Sequence, residues 1–394
     1  MTAKRDVAIV GIHATPQRRR MGKTVIGLMM ESLKGSLDDA GLAMRDVDAL
    51  IAYDFPAGNG EGATDGNVAW QLKQPINFVW QQSGASAVLT GAALIRDGLA
   101  EVVVIPAAGA QATDTDATAA YTRPGYEFTE WTGSITPAQF ALQARRHMHL
   151  YGSTVDDFAF AAATIRNNAH INPEAMMFSR GPYTPADILK ARMVADPLTL
   201  LMCSLTNDGA SCIVLTSAER ARDCRKAPVW VLGGAMETRK TSYLEAPSLD
   251  IVNSRDKMIR GFERLGVRHE DTDMVMIYDH FAHSVQVQME ALGFCKPGEG
   301  GGYIREVMGL DQKHPVCPDG GNQGYSHNMI PYNFKIIEIV KQMRNEIVDL
   351  CPQSAEGIHT YDRSICRKVR DPKLSVACGP MTEGRHSFVL LEKN

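Results

Sequence analysis

The chain has 394 residues, of which 44% are hydrophobic and 22% charged, a composition typical of a globular protein with room for two domains or one large α/β domain. A formal net charge of −4 indicates neither nucleic acid nor an anionic membrane as a partner, although a local basic pocket stays possible. No apolar stretch reaches membrane-spanning length and no signal-type region follows Met1, which predicts a cytoplasmic protein.

Strand and helix signals alternate along the first half, which favours βαβ units in a mixed or parallel sheet covered by helices. The predicted elements are strand 7–11, helix 24–40, strand 49–53, strand 76–80, helix 86–97 and strand 101–106. Gly41 is the predicted stop of the first helix. The regular pattern then lapses over 107–152, which indicates a functional or capping insertion, although helices are expected at 136–151 and 154–169.

The second half repeats this order after a charged link at 222–228. A strand at 213–216 and a helical segment at 217–221 precede the link. The elements predicted after it are strand 229–232, helix 250–265, strand 274–278, helix 284–292, helix 328–343, and strands 374–377 and 387–391. We therefore divide the chain into an N-terminal half, 1–225, and a C-terminal half, 226–394.

The eight cysteines all lie between Cys203 and Cys378. None forms a Cys-x-x-Cys pair, so their spacing predicts neither a zinc site nor a disulfide framework. We expect most of them to be reduced packing residues.

Residues 80–86, Trp-Gln-Gln-Ser-Gly-Ala-Ser, connect a predicted strand directly to a helix. The free N–H groups and the dipole at a helix N-terminus favour a nucleophile or an anion at such a junction. No thiol is available there, since no cysteine precedes Met202. Ser83 and Ser86 lack a Gly-x-Ser-x-Gly elbow, and we expect one of them to cap the helix.

Several blocks of sequence follow in a fixed order. They are the junction with Gly98-Leu99-Ala100-Glu101, residues 196–201 (Asp-Pro-Leu-Thr-Leu-Leu) with 207–212 (Asn-Asp-Gly-Ala-Ser-Cys), Tyr278-Asp279-His280-Phe281 with 290–295 and 298–301, and Pro318-Asp319-Gly320-Gly321 leading to His327. In this order they resemble the thiolase superfamily, specifically its lipid-transfer-protein or sterol-carrier-protein thiolase branch. The resemblance covers most of the chain. It implies an α/β thiolase fold, five-layered αβαβα and built from two similar halves, usually dimeric and acting on acyl-coenzyme A thioesters.

Three positions depart from the pattern of that family. Gln81 stands where the family has its acyl-accepting cysteine, and a carboxamide cannot form a thioester. Tyr278 stands where the family has a histidine or asparagine. The family's Gly-His-Pro turn is replaced by residues 325–328, Tyr-Ser-His-Asn, which keep His327 and add the phenol of Tyr325. Cys378 lies near the family's last cysteine motif, and we expect it to pack, not to react.

These departures make the chain resemble the thiolase-like aldolases that shorten steroid side chains. The resemblance implies retro-aldol cleavage of a 3-hydroxyacyl-CoA, with a steroid or branched side chain, into a carbonyl compound and a shorter acyl-CoA without an acyl-enzyme. Positioned donors can stabilise the enolate that leaves. We assign Tyr325 as the base, Tyr278 to orienting the substrate or protonating the enolate, and His327 to the thioester oxygen or to tuning the phenols.

Asp279 and His280 complete the predicted catalytic set, while His283 is expected to be structural. The predicted substrate-binding residues are Gln81, Ser83, Gly84, Gly321 and Gly324. Residues 298–302, Gly-Glu-Gly-Gly-Gly, predict a flexible connection, because a phosphate loop would end in Gly-Lys-Ser/Thr.

The resemblance also implies partners. We expect a homodimer, in complex with a small OB-fold protein that carries a zinc ribbon. Coenzyme A enters as part of the substrate, and we expect no permanently bound cofactor and no metal. Two alternatives stay open: a non-catalytic acyl-CoA-binding or lipid-binding scaffold for such a partner, and true thiolysis or acyl transfer through Cys378 or a displaced thiol.

Overall fold

The computed structural model describes residues 5–54, 65–113, 136–238, 250–328, 330–351, 362–379 and 385–394. Its strands are β1 (Val7–Ala14), β2 (Ala49–Asp54), β3 (Phe78–Gln81), β4 (Val102–Ala110), β5 (Met193–Ala195), β6 (Leu198–Thr199), β7 (Asp208–Ser217), β8 (Val229–Thr238), β9 (Met274–Met276), β10 (Leu374–Cys378) and β11 (Arg385–Lys393). Its α-helices are α1 (Val25–Ala40), α2 (Asp65–Leu72), α3 (Gly84–Arg96), α4 (Thr136–Tyr151), α5 (Val155–His170), α6 (Pro185–Lys190), α7 (Arg255–Leu265), α8 (His283–Leu292), α9 (Gly300–Val307) and α10 (Tyr332–Met343).

One mixed sheet contains nine of the strands, in the order β3-β2-β4-β7-β1-β8-β11-β10-β9. From β1 outward, β7 and β4 pair antiparallel, and β2 and β3 then pair parallel. From β8 outward, β11 and β10 pair antiparallel and β9 pairs parallel, followed by a parallel bridge between Val275 and Val316. The two halves thus share one strand order, and they meet where β1 pairs with β8. The boundary at 225/226 stays a prediction.

Helices α3 and α10 occupy the space between the two sets of strands. Helix α3 contacts β4 and β7 of the first half as well as β8, β10 and β11 of the second. This double contact explains its small residues, because Gly84, Ala85, Ala87, Gly91 and Ala92 are all buried. Helix α1 covers the first set of strands and α7 covers β8. The resulting layers of helices and strands are in keeping with the layered α/β architecture that the resemblance implies.

Helix α1 begins and ends as its sequence predicts. The Thr24 side chain accepts a hydrogen bond from the Gly27 N–H, 3.1 Å away, which caps the first turn. Gly41 follows the last turn with φ 76°, a left-handed conformation that glycine adopts without strain. The predicted stop at Gly41 is confirmed.

Several boundaries differ from the prediction. The prediction of a helix at 217–221 is wrong, because β7 continues to Ser217 and is followed by a 3₁₀ turn, Arg220–Asp223. The regular pattern does not lapse at residue 107, since β4 runs on to Ala110, and much of the predicted insertion, 114–135, lies outside the described residues.

The glycines at 298–302 also differ from the expectation of a flexible connection. Helix α9 begins at Gly300, whose N–H donates to the Glu290 carboxylate at 2.9 Å. A side chain at Gly301 would come within 2.6 Å of Asp157. The missing side chains therefore let this helix pack closely against α5 and α8.

One cysteine pair differs from the expectation of no disulfide framework. Cys351 and Cys366 form a disulfide. The free cysteines are Cys203, Cys212, Cys224, Cys295, Cys317 and Cys378, four of them buried, which agrees with their predicted packing role.

No helix in the described part of the chain is both long and apolar enough to cross a membrane.

Candidate active site

The N-termini of the two central helices meet. Gly84, the first residue of α3, donates its N–H to the Asn333 side-chain oxygen at 2.9 Å. Asn333 lies in the first turn of α10 and also donates to the Ile105 carbonyl of β4 at 2.8 Å. Because the positive end of each helix dipole points here, negative charge is stabilised at this place from two sides.

The strand-to-helix junction has the order predicted from the sequence. Strand β3 ends at Gln81, which is exposed, and Ser83 is the buried N-cap of α3, although its hydroxyl does not cap the helix. Gly84 has φ 61° and a side chain there would overlap Tyr332. This junction therefore offers a backbone without a thiol, closed on one side by the first residue of α10.

Cys378 lies near this junction at the end of β10. A side chain on the neighbouring Gly379 would come within 3.9 Å of Ala85 in α3. The thiol is fully buried, and burial raises its pKa above the ordinary value. A neutral, enclosed thiol is in keeping with the packing role expected from the sequence, which stays a prediction.

Tyr278 lies just beyond β9 and is the centre of a group of rings. Its hydroxyl lies 3.1 Å from Nε2 of His327. Its ring stacks on His280 with 4.3 Å between centroids, and the Tyr332 ring lies 5.0 Å away on α10. The structure thus brings together the predicted residues Tyr278, His280 and His327, and adds Tyr332.

His327 is held by its backbone. Its N–H donates to the Asn207 side-chain oxygen at 2.7 Å, and the Asn207 amide in turn donates to Ser326 at 3.0 Å. Burial lowers the pKa of the imidazole to about 4, with the Asp279 charge opposing that shift. His327 is therefore neutral near pH 7, with Nε2 directed at the Tyr278 hydroxyl.

Asp279 does not face the rings but anchors the loop that carries His327. Its carboxylate accepts the N–H groups of Asn322, at 2.8 Å, and Gln323, at 3.2 Å. It also forms a 2.9 Å ion pair with Lys335, and both side chains are buried. Burial alone lowers the pKa of Lys335, but the Asp279 charge outweighs it and the net pKa is raised. Asp279 thus fixes the backbone of the loop that leads to His327.

His280 supports Tyr278 from one face. Its Nδ1 lies 3.0 Å from the Tyr278 carbonyl, so this nitrogen carries the proton and donates. Burial lowers the pKa of His280 to about 3. The ring is therefore a neutral platform under the phenol. His283, the first residue of α8, is also buried, with its pKa lowered well below 6.5 by burial.

Tyr325 lies elsewhere. It ends a π-helical turn, Gly321–Tyr325, and its ring packs edge-on against Phe334 with 5.3 Å between centroids. Burial and the nearby Glu174 carboxylate raise its pKa well above 10. A phenol in these surroundings is a poor base, which opposes the role assigned to Tyr325 from the sequence.

The two predicted substrate-binding glycines of this turn are filled by protein contacts. A side chain at Gly321 would overlap the Asp279 carboxylate, and one at Gly324 would overlap Ala169 of α5. Both are buried. Their role in the structure is to let the turn pack closely between Asp279 and α5.

The predicted sequence blocks converge on the site. The Ser204 N–H donates to the His280 carbonyl at 2.9 Å, and the Leu205 N–H donates to the Asn322 carbonyl at 3.0 Å. Asn207 follows and holds His327. The segment before β7 is thus hydrogen-bonded to both loops that carry the rings.

The sequence analysis did not identify Tyr332, Asn333 or Lys335. The Pro331-Tyr332 pair is a helix-start signal, and it could have placed Tyr332 in the first turn of α10. No group of three or more histidine, cysteine or acidic side chains suited to a metal occurs in the ranges that the structure describes.

Comparison with known proteins identifies the family. Residues 234–357 match the thiolase C-terminal domain-like family. The 17-hydroxy-3-oxo-4-pregnene-20-carboxyl-CoA lyase of Mycobacterium tuberculosis is 32% identical, over 87% of this chain and 93% of that protein. The chain belongs to the thiolase superfamily. The steroid side-chain-cleaving aldolase of Thermomonospora curvata is 30% identical, over 82% of this chain and 87% of that protein.

A solved structure supports the same assignment. The Ltp2-ChsH2(DUF35) aldolase is 27% identical and superposes with a TM-score of 0.81, covering 100% of this chain and 99% of that chain. The predicted thiolase fold and the predicted branch of the superfamily are confirmed. The three similar proteins named here are one lyase and two aldolases, which supports a thiolase-like aldolase.

Proposed function

We propose that this chain cleaves a 3-hydroxyacyl-CoA with a steroid or branched side chain by a retro-aldol reaction, giving a carbonyl compound and a shorter acyl-CoA. The observation that carries the proposal is the Tyr278–His327 pair, 3.1 Å apart, beside the N-termini of α3 and α10. The lyase and the aldolase that the chain resembles are named for a carboxyl-CoA and for steroid side-chain cleavage.

In the proposed reaction Tyr278 takes the proton of the β-hydroxyl as it passes its own proton to Nε2 of His327, which is neutral at pH 7. The hydroxyl oxygen becomes a carbonyl, and the Cα–Cβ bond breaks. Its electron pair moves onto Cα and the thioester oxygen as an enolate. The imidazolium of His327 then returns the proton through Tyr278 to Cα, which gives the shorter acyl-CoA.

Two features lower the barrier to the enolate. The dipoles of α3 and α10 place partial positive charge where the thioester oxygen becomes negative. The relay through His327 also avoids a free phenolate, which matters because an unperturbed phenol has a pKa of about 10. Tyr332, 5.0 Å from Tyr278, is placed to orient the hydroxyl. The base role thus passes from Tyr325 to Tyr278.

Matched tyrosine variants test the mechanism. With a branched 3-hydroxyacyl-CoA and no added free coenzyme A, we expect Tyr278→Phe to lower kcat about 10²–10⁴-fold, the range for loss of a general base. Tyr325→Phe removes the same hydroxyl from a buried phenol outside the site and should change kcat less than about threefold.

A large loss in Tyr325→Phe with full activity in Tyr278→Phe would reverse the assignment. Absolute dependence on free coenzyme A would indicate thiolysis instead. Absence of turnover across candidate acyl-CoAs, with acyl-CoA binding retained, would favour a non-catalytic scaffold.

The proposal includes a homodimer in complex with a small OB-fold protein that carries a zinc ribbon. It is supported by the family resemblance and by the similar aldolase, whose name includes ChsH2(DUF35). Co-expression with such a protein from the same genome, followed by size-exclusion chromatography with light scattering, tests both. A monomer that elutes alone at micromolar concentration would contradict the proposed assembly.

A further inference from the structure

The loop between β1 and α1 concentrates positive charge in a chain with a net charge of −4. We call residues 17–24, Gln-Arg-Arg-Arg-Met-Gly-Lys-Thr, the basic loop. No acidic residue occurs between Asp6 and Glu31. Arg18, Arg19 and Arg20 are exposed, and none forms an ion pair with any residue in the described ranges.

The basic loop is fixed at its base. The backbone of Arg18 forms two hydrogen bonds with that of Asp208, at 2.8 and 3.3 Å. The buried Asp208 carboxylate accepts the Met21 N–H at 2.7 Å and the Ala112 N–H at 2.8 Å. The arginines therefore extend from a held backbone, which reduces the entropy lost when they bind a ligand.

The start of the loop contacts the site. The Gln17 side-chain oxygen accepts the Ser326 hydroxyl at 2.8 Å and the Asn207 amide at 3.2 Å. Ser326 directly precedes His327, and Asn207 holds the His327 backbone at 2.7 Å. Strand β1 also runs in the same direction as β4, because both pair antiparallel with β7. Strand β3 has this direction too, since β2 pairs parallel with both β3 and β4. The basic loop therefore follows the carboxyl end of β1, at the same end of the sheet as Gln81.

The end of the loop is the N-terminus of α1, a helix of 16 residues with no acidic side chain in its first turn. Lys23 is paired with Glu31 at 2.6 Å, so the cations left for a ligand are the three arginines. Guanidinium groups bind phosphate oxygens in a bidentate manner, and a helix N-terminus adds to the same potential.

We propose that the basic loop binds the phosphate groups at the nucleotide end of the coenzyme A thioester. In that arrangement the pantetheine arm spans the region from Gln17 and Ser326 to the rings at Tyr278, and the arginines hold the diphosphate and the 3′-phosphate. This inference rests on the proposed acyl-CoA substrate. The basic loop would bind the phosphates, which the tyrosine and histidine residues of the candidate active site do not bind.

The test uses the full chain with all three arginines changed, R18Q/R19Q/R20Q, and two substrates that carry the same acyl group. One is the coenzyme A thioester, and the other is the pantetheine thioester, which has no phosphates. We expect KM for the coenzyme A thioester to rise at least tenfold in the variant, with kcat within about twofold of wild type. KM for the pantetheine thioester should not change.

The matched control is K257Q/R260Q/K296Q, which also removes three positive charges from exposed positions, two on α7 and one after α8. Its KM and kcat should equal those of wild type. Wild-type KM for the coenzyme A thioester should also rise with salt more than that of the pantetheine thioester, because exposed charges are screened. An unchanged KM in the arginine variant, or an equal rise for both substrates, would overturn the proposal.

Calorimetry with adenosine 3′,5′-bisphosphate separates this inference from the proposed function. If wild type cleaves neither thioester, the retro-aldol proposal fails. The basic-loop proposal is still supported if wild type and the control variant bind the bisphosphate and the arginine variant does not. Binding that is equal in all three proteins contradicts it.

Discussion

The buried ion pair of Asp279 and Lys335 gives a prediction that joins stability to the site. At the observed 2.9 Å, two unit charges attract by about 6 kcal/mol if the effective dielectric constant is about 20. Desolvation of both charges offsets much of this gain, but removing one partner leaves the other buried and unpaired, which costs about 3–5 kcal/mol. We expect Asp279→Asn and Lys335→Met each to lower the free energy of unfolding by that amount.

The double variant distinguishes an ion pair from two independent packing effects. Because Asp279→Asn with Lys335→Met removes both charges, we expect its loss to be smaller than the sum of the single losses by at least about 2 kcal/mol. Urea unfolding followed by tryptophan fluorescence and by circular dichroism measures this when the two transitions coincide. Strictly additive losses would refute the reasoning.

Three further predictions concern the rings and the junction. Gly84→Ala forces an alanine to φ 61° and against Tyr332, so kcat should fall at least tenfold while the far-ultraviolet spectrum is kept; wild-type kinetics would contradict the close packing. The acid limb of kcat/KM should have its midpoint near pH 4, where His327 protonates, and a midpoint near 6.5 would contradict the neutral, buried imidazole. Burial lowers the pKa of His280 to about 3, so between pH 6.5 and 3 the unfolded chain binds more protons than the folded one. The contribution of His280 to the free energy of unfolding is therefore complete above pH 6.5 and decreases as the pH falls, by up to about 1.4 kcal/mol per pH unit. In urea unfolding, His280→Asn should reduce this pH dependence, and an unchanged slope would contradict the prediction.

Local signals were sufficient to predict the elements that build the scaffold. Helix α4 was predicted at 136–151, as observed, and Gly41 marks the end of α1. These features depend on periodicity and on backbone preference, which act within one turn of the chain. The junction at Gly84 was also predictable, since an apolar strand runs straight into a helix of small residues.

The positions of the rings of Tyr325 and Tyr332, on either side of His327 in the sequence, were not predictable in the same way. Tyr325 lies two residues before His327, but the intervening chain leaves a π-helical turn, and no fixed period relates side-chain directions there. The Tyr325 ring consequently packs against Phe334, whereas Tyr332, five residues beyond His327, reaches Tyr278. Contacts between residues distant in sequence fix these ring positions, as they fix the Lys335–Asp279 ion pair.

The junction without a thiol faces the N-terminus of α10. In acyl transfer, a nucleophile at the end of β3, just before α3, would form a covalent bond, and the two helix dipoles would stabilise the resulting oxyanion. In a retro-aldol reaction the same dipoles stabilise an enolate, and the protein has only to move a proton. With the exposed Gln81 in place of the nucleophile, the electrostatic part of the scaffold is intact, and in the proposed mechanism Tyr278 and His327 supply the proton path. A change from acyl transfer to retro-aldol cleavage would therefore require new proton-carrying side chains, while α3 and α10 keep their positions.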